Sequence, residues 1–185
     1  FIFIFFSEFE VLRISQYKDL PSSLLYKDAK LLMTRYNTFS RIDVIDSPSV
    51  RSAPGLSMAY TEALPEQIGI TIDAGNLTTI TKFNGCVDSI KFTAYLPSSL
   101  PYYTGKKNNV LILDPKGGLD ILTAIYHKAK HITAVESNPL ICEIINKEFG
   151  EFSGNIYSKK YVDLITREPR SYLRSTKKRF DIIVY

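Results

Sequence analysis

The stretch Val110-Leu111-Ile112-Leu113-Asp114-Pro115-Lys116-Gly117-Gly118-Leu119-Asp120 decides the fold. Four apolar residues in a row predict a buried strand over residues 110–113, the glycine pair predicts a tight turn, and a helix follows. A second apolar run, Ile132-Thr133-Ala134-Val135, ends in Glu136. Strand, glycine turn and helix, then an acid at the tip of the next strand, form the pattern of a nucleotide-type binding site. A carboxylate accepts both hydroxyl hydrogens of a ribose, and glycines let the backbone come close to a ligand. This loop departs from the glycine-rich form, because Asp114, Pro115 and Lys116 stand ahead of Gly117 and Gly118.

The alternation continues on both sides of Glu136. Ile121, Leu122, Ile125 and Ala129 share one face of a helix predicted over residues 119–130. Ser137-Asn138-Pro139 supplies a polar cap and a first-turn proline. The helix it opens carries Ile141, Ile144, Ile145 and Phe149 on one face and is predicted to stop at Gly150. A third strand is predicted over residues 161–165, a short helix from Pro169 to Arg174, and a fourth strand over residues 180–185. Such an order implies a parallel α/β sheet with right-handed crossovers and strand order 3-2-1-4. Strand four would then be an apolar edge, and further strands are expected to continue the sheet beyond it.

The N-terminal part reads differently. Arg41-Ile42-Asp43-Val44 alternates as a half-buried strand, and the runs Ile70-Thr71-Ile72-Asp73 and Leu77-Thr78-Thr79-Ile80 flank Ala74-Gly75-Asn76 as a hairpin. A helix is predicted over residues 22–33. We expect a small β-rich domain over residues 1–96 and a Rossmann-like domain over residues 97–185, joined near residues 97–109. The opening Phe1-Ile2-Phe3-Ile4-Phe5-Phe6 suits an edge strand or the remnant of a preceding transmembrane helix.

A chain of 185 residues supports one ordinary domain, or a small domain attached to a larger one. With 45% hydrophobic and 23% charged residues, disorder is excluded over most of the length. Cys86 and Cys142 lack metal-ligand spacing, so neither a disulfide framework nor a metal site is expected, and both read as buried free thiols. The net charge of +4 is mild, and Lys106-Lys107, Lys159-Lys160 and Lys177-Lys178-Arg179 fall at predicted loops. They read as solvated charges rather than a nucleic-acid footprint. No run reaches the roughly 20 apolar residues of a membrane span.

Three acids fall outside the carboxyl ends of the strands, where ligands of such sheets lie: Asp114, Glu136 and Glu168. Glu136 is either a ribose ligand or an acid placed for the helix dipole. Glu168 either accepts from the exocyclic amine of a base or caps its helix. Tyr102 and Tyr103 either line the mouth of the pocket or pack between domains. His127 and His131 flank a helix end and read as surface or capping residues. No Ser/His/Asp or Cys/His set can be assembled.

The order of these motifs resembles spermidine synthase and its relatives. The residues that carry the likeness are Ile72-Asp73-Ala74-Gly75, Leu100-Pro101-Tyr102, Val110-Leu111-Ile112-Leu113, Gly117-Gly118, Ala134-Val135-Glu136, Glu168-Pro169-Arg170-Ser171-Tyr172-Leu173 and Phe180-Asp181-Ile182-Ile183. The segments from Ser40 to Pro48 and from Ala53 to Ser57 resemble, more narrowly, spermidine-synthase-like soluble domains attached to membrane segments in some prokaryotes. The resemblance implies a methyltransferase-like Rossmann domain behind a small β-rich domain. It implies S-adenosylmethionine or its decarboxylated form as ligand, and aminopropyl transfer to a polyamine such as putrescine. Alternatives are an S-adenosylmethionine-dependent methyltransferase and a catalytically decayed sensing or interaction domain. A homodimer in the cytoplasm, tethered through an upstream transmembrane segment, is the expected setting.

By position, the resemblance implies Glu136 on the ribose, Glu168 on the adenine amine, Asp114, Gly117 and Gly118 around the nucleoside, and Tyr102 on the substrate side. The family's catalytic aspartate follows strand four and is expected beyond Tyr185. This chain departs from the family at the loop, where Pro115 removes a backbone donor. Lys116 adds a cation where a sulfonium would approach. The paired glutamines and the Tyr-His-Glu element are not recognisable, and Asn76 and Tyr102 stand in their place.

Overall fold

The computed structural model describes residues 14–185, so the Phe1-to-Phe6 run lies outside them. Among the described residues, eight strands form two four-stranded sheets. The first sheet is antiparallel, with β1 (Lys30–Tyr36), β2 (Arg41–Asp46), β3 (Gln67–Ile72) and β4 (Gly75–Thr81) in sequential order. The second is parallel, built from β5 (Asn109–Leu113), β6 (His131–Glu136), β7 (Val162–Thr166) and β8 (Ile182–Val184). Its order, β7-β6-β5-β8, is the 3-2-1-4 arrangement predicted for a doubly wound sheet. The fold is therefore a doubly wound, Rossmann-like α/β sheet accompanied by an antiparallel sheet.

The helices are α1 (Asp19–Leu24), α2 (Leu100–Thr104), α3 (Leu119–Tyr126), α4 (Pro139–Glu143), α5 (Gly150–Ser153) and α6 (Pro169–Ser175). Strand β5 is apolar on both faces because both are covered. Val110 and Ile112 belong to the main core, whereas Leu111 and Leu113 point the other way, to a smaller cluster with Val135 and Tyr172 of α6. The main core is continuous between the sheets. Ile42, Ile70 and Ile80 of the antiparallel sheet join one buried cluster with Ile112 and Ile132 of the parallel one and Ile121 of α3.

Four local expectations are corrected. Residues 22–33 are not one helix: α1 ends at Leu24, Asp28 takes a left-handed φ of +54°, and Lys30 begins β1. The paired leucines of this segment mimic helical spacing, but the ladder with β2, a partner distant in sequence, decides its state. The hairpin turn is Asp73-Ala74 at φ +51° and +62°, with Ile72 opposite Gly75, so glycine does not occupy the left-handed positions of this two-residue turn. The helix after β6 does not stop at Gly150. It passes from α4 into a π turn over Ile144–Glu148, and Gly150 opens α5. The stop is Gly154, at φ +68°, where a Cβ would lie 2.3 Å from the carbonyl oxygen of Phe83. Finally, Cys142 is buried but Cys86 is exposed.

Candidate functional site

Glu136 ends β6 and is 1% exposed. Its Oε2 accepts the backbone N–H of Lys116 at 3.0 Å, and its Oε1 accepts the backbone N–H of Asn138 at 2.9 Å. Burial pushes its carboxyl above the ordinary range, and the two amide donors pull it part of the way back. The acid is thus fastened to both loops at the carboxyl edge of the sheet.

The loop after β5 is held on every side. Asp114 and Lys116 both sit at a left-handed φ of +48°, and Gly118 at +90°. The Lys116 carbonyl accepts the Tyr157 hydroxyl at 2.7 Å. Tyr157 is buried, which raises its pKa well above the ordinary range and keeps it a neutral donor. Gly117 is glycine for a steric reason: a Cβ there would lie 2.1 Å from the Thr79 carbonyl oxygen on β4. Gly118 serves the turn through its φ, and its Cβ would meet the tip of Ile156. Both glycines accordingly face protein in this structure.

Asp114 points along the same edge. Its Oδ1 accepts the backbone N–H of Ser137 at 3.1 Å and the Ser137 hydroxyl at 2.8 Å. Asp114 and Glu168 border an open cleft of about 760 Å³, with Leu113, Arg170 and Ile183 among its walls. Glu168 caps α6, accepting from Arg170 N at 2.9 Å and Ser171 N at 2.6 Å, and these bonds lower its pKa. The structure thus brings Asp114 and Glu168 to one cleft and leaves Glu136 closed off beneath the loop. Tyr102 is elsewhere: it is buried and stacks on His127, centroids 4.9 Å apart, beyond the end of α3. Neither Glu136 nor Tyr102 lines this cleft.

A junction to the antiparallel sheet was not signalled by any motif. Asn138 caps α4 through Oδ1, which also accepts from Asn37 Nδ2 at 2.8 Å, while Asn138 Nδ2 donates to Ser40 Oγ at 2.8 Å. Asn37 and Ser40 lie in the β1–β2 turn. The residue whose amide holds Glu136 is therefore itself held by the other sheet. Asn138 was legible as a cap, but its partners, about a hundred positions away, were not.

Among the described residues no group of acids, histidines and cysteines could hold a metal ion, and no helix is long and apolar enough to cross a membrane.

No family model and no curated protein sequence matches the chain. Solved structures do. The chain is similar in fold to spermidine synthase from Thermotoga maritima, at a TM-score of 0.59 and 17% identity, covering 83% of this chain and 46% of that one. It is also similar to a spermidine synthase in complex with the transition state analogue AdoDATO, at a TM-score of 0.56 and 16% identity, with the same coverage. The likeness is one of fold, and the chain spans less than half the length of these synthases.

Proposed function

We propose that this chain is a nucleoside-binding domain of spermidine-synthase-like fold that takes an S-adenosylmethionine-type ligand at the carboxyl edge of β5 and β6. The observation that carries the reading is the Glu136 carboxylate at the tip of β6, with one backbone amide on each oxygen. A carboxylate has about four lone-pair positions, so about two remain for the two hydroxyls of a ribose. The loop over Lys116 must lift for them to reach it. Two ligand tails suit such a fold: an aminopropyl group on a sulfonium, and a methionine. With the first, a polyamine nitrogen would attack the carbon next to sulfur, the carbon–sulfur bond would break, and methylthioadenosine would leave as the amine loses a proton. The AdoDATO complex of a structural neighbour supports this tail and a polyamine partner. An S-adenosylmethionine-dependent methyltransferase remains the related reading.

A second reading, a sensing domain without catalysis, is favoured by one observation: the Lys116 amide already occupies Glu136. Under either reading we further propose a cytoplasmic homodimer tethered by an upstream membrane segment. That proposal rests on the resemblance of the segments around Ser40–Pro48 and Ala53–Ser57.

Isothermal calorimetry with methylthioadenosine tests the nucleoside site. Heat with the wild-type protein and at least tenfold weaker binding by Glu136→Ala are expected, the size of a lost charged hydrogen-bond pair (about 1.5–3 kcal/mol). No heat from a folded wild-type sample, or equal affinity in the variant, overturns it. Release of methylthioadenosine from decarboxylated S-adenosylmethionine plus putrescine separates the transferase from the sensor.

A further inference from the structure

The face of the parallel sheet that α6 covers changes character partway along its strands. Towards the carboxyl edge it is apolar, and Leu111, Leu113 and Val135 pack there with Tyr172. Side chains alternate along a strand, so Asn109, His131 and Thr133 share that face, and Asp163 stands in register with Thr133. Strands of a parallel sheet ordinarily carry apolar residues on both faces. Here the amino half of one face is polar instead, and a cavity of about 320 Å³ opens over it.

One wall of the cavity is the segment between α6 and β8, which supplies Lys178, Arg179 and Phe180. The basic run Lys177-Lys178-Arg179, expected to be solvated, is thus partly built into the fold. The segment is tied at three points. Thr176 N–H donates to the Tyr172 carbonyl at 2.9 Å, and Lys178 Nζ donates to Asp163 Oδ2 at 3.1 Å. Asp181 Oδ2 accepts the backbone N–H groups of Asn108 and Asn109 at 2.9 and 3.0 Å. Arg179 and Phe180 lie between the second and third ties. Lys178 meets the charge of Asp163. The Arg179 guanidinium and the His131 ring make no ion pair or hydrogen bond among the described residues, so the positive charge of Arg179 is not cancelled from within. Thr133 lines the same cavity and is 5% exposed, and its hydroxyl has no hydrogen-bond partner among the described residues. A side-chain hydroxyl so deeply placed ordinarily has one.

We propose that this cavity binds a small organic anion, a carboxylate or a phosphate monoester, with Arg179 as its cationic ligand and Thr133 as a hydroxyl donor. A planar guanidinium presents paired N–H donors that match either head group. Phe180 offers an apolar wall to the organic part. The volume stands at the low end of the roughly 300–1,000 Å³ of ligand sites, which limits the occupant to a small molecule. Asn109 and His131 begin β5 and β6, whereas Glu136 ends β6, so the site lies at the opposite edge of the sheet and does not depend on the nucleoside reading.

Amide nuclear magnetic resonance titrations of the whole chain with phenyl phosphate, benzoate and benzamide, the neutral counterpart of benzoate, test the site. At least one of the two anions is expected to give saturable shifts confined to the surroundings of His131, Thr133, Arg179 and Phe180, and the tighter of them names the head group. Benzamide is expected to give none. Arg179→Gln should weaken the anion about fivefold, the upper end for an exposed charge pair. Arg174→Gln removes the same charge from α6 outside the cavity and should leave the affinity unchanged. Thr133→Val keeps the β-branched shape that suits a strand and should weaken binding about threefold, the scale of one hydrogen bond. The inference is overturned by an absence of saturable shifts with both anions, or by shifts spread over the other basic clusters. Benzamide binding as tightly as the anions, an equal loss in Arg174→Gln, or undiminished affinity in folded Arg179→Gln or Thr133→Val overturns it as well.

Discussion

Replacing Gly117 by alanine places a methyl group 2.1 Å from the carbonyl oxygen and 2.5 Å from the carbonyl carbon of Thr79, where ordinary contact begins at 3.4 Å. Both atoms are backbone of β4, in the interior of a paired strand, so no side-chain rotation relieves the clash. The loop must retreat by more than an ångström, and overpacking of this kind costs about 1–3 kcal/mol. A retreat of that size also breaks the Lys116 N–H bond to a buried carboxylate, worth about 1.5–3 kcal/mol. Together they give about 4 kcal/mol, which for a chain of this length lowers Tm by roughly 8–16 °C. Urea unfolding followed by circular dichroism measures the loss directly, and an unchanged slope would show that the denatured state is not its source. A Gly117→Ala protein within about 0.5 kcal/mol of wild type would refute the claim that the loop is seated on β4.

Gly118→Ala should be milder, about 1–2 kcal/mol, because its clash is with the flexible tip of Ile156 and the remaining cost is a left-handed alanine. A loss larger than that of Gly117→Ala in the same urea series would reverse the assignment of roles. The pH dependence of stability follows from Glu136. Burial raises its folded pKa above the ordinary 4.5, so the folded state binds more protons, and this group's contribution falls as pH rises through 4.5 and the units above it. The stability of wild type relative to Glu136→Gln should therefore decline over that window, and a flat difference would mean that the carboxyl is not desolvated. The Cys142 thiol is buried and pushed up to about 11, whereas Cys86 is exposed. Ellman's reagent should modify one thiol quickly in the native protein and the second only after unfolding; two fast thiols would contradict the packing of α4.

The parallel sheet was legible because four apolar runs, separated by helical spacing, suit the strands of one parallel sheet covered by helices. Order 3-2-1-4 followed from the handedness of the crossovers. The antiparallel sheet was half legible. Arg41–Val44 alternates and is seen, but β1 owes its state to β2 rather than to its own pattern. At the site, the position of Glu136 could be read, because an acid ending an apolar strand is a local signal. Its enclosure could not, since that depends on Thr79, Tyr157 and Asn37, each brought from a distant part of the chain. Glu168 illustrates the limit: a glutamate before Pro169 suits a cap and a ligand equally, and only the folded chain shows that the cap is made.

The seat of Gly117 on β4 has a practical meaning for anyone dividing this chain. A fragment beginning near residue 97 would keep Glu136, Asp114 and Lys116 but lose Thr79, Asn37 and Ser40. It would also strip the cover from Ile112, Ile121 and Ile132. The loop after β5 would then have no floor and Asn138 no anchor, so such a fragment would be silent in a binding assay for reasons unrelated to its chemistry. The smallest piece in which the proposed site can be judged includes the antiparallel sheet.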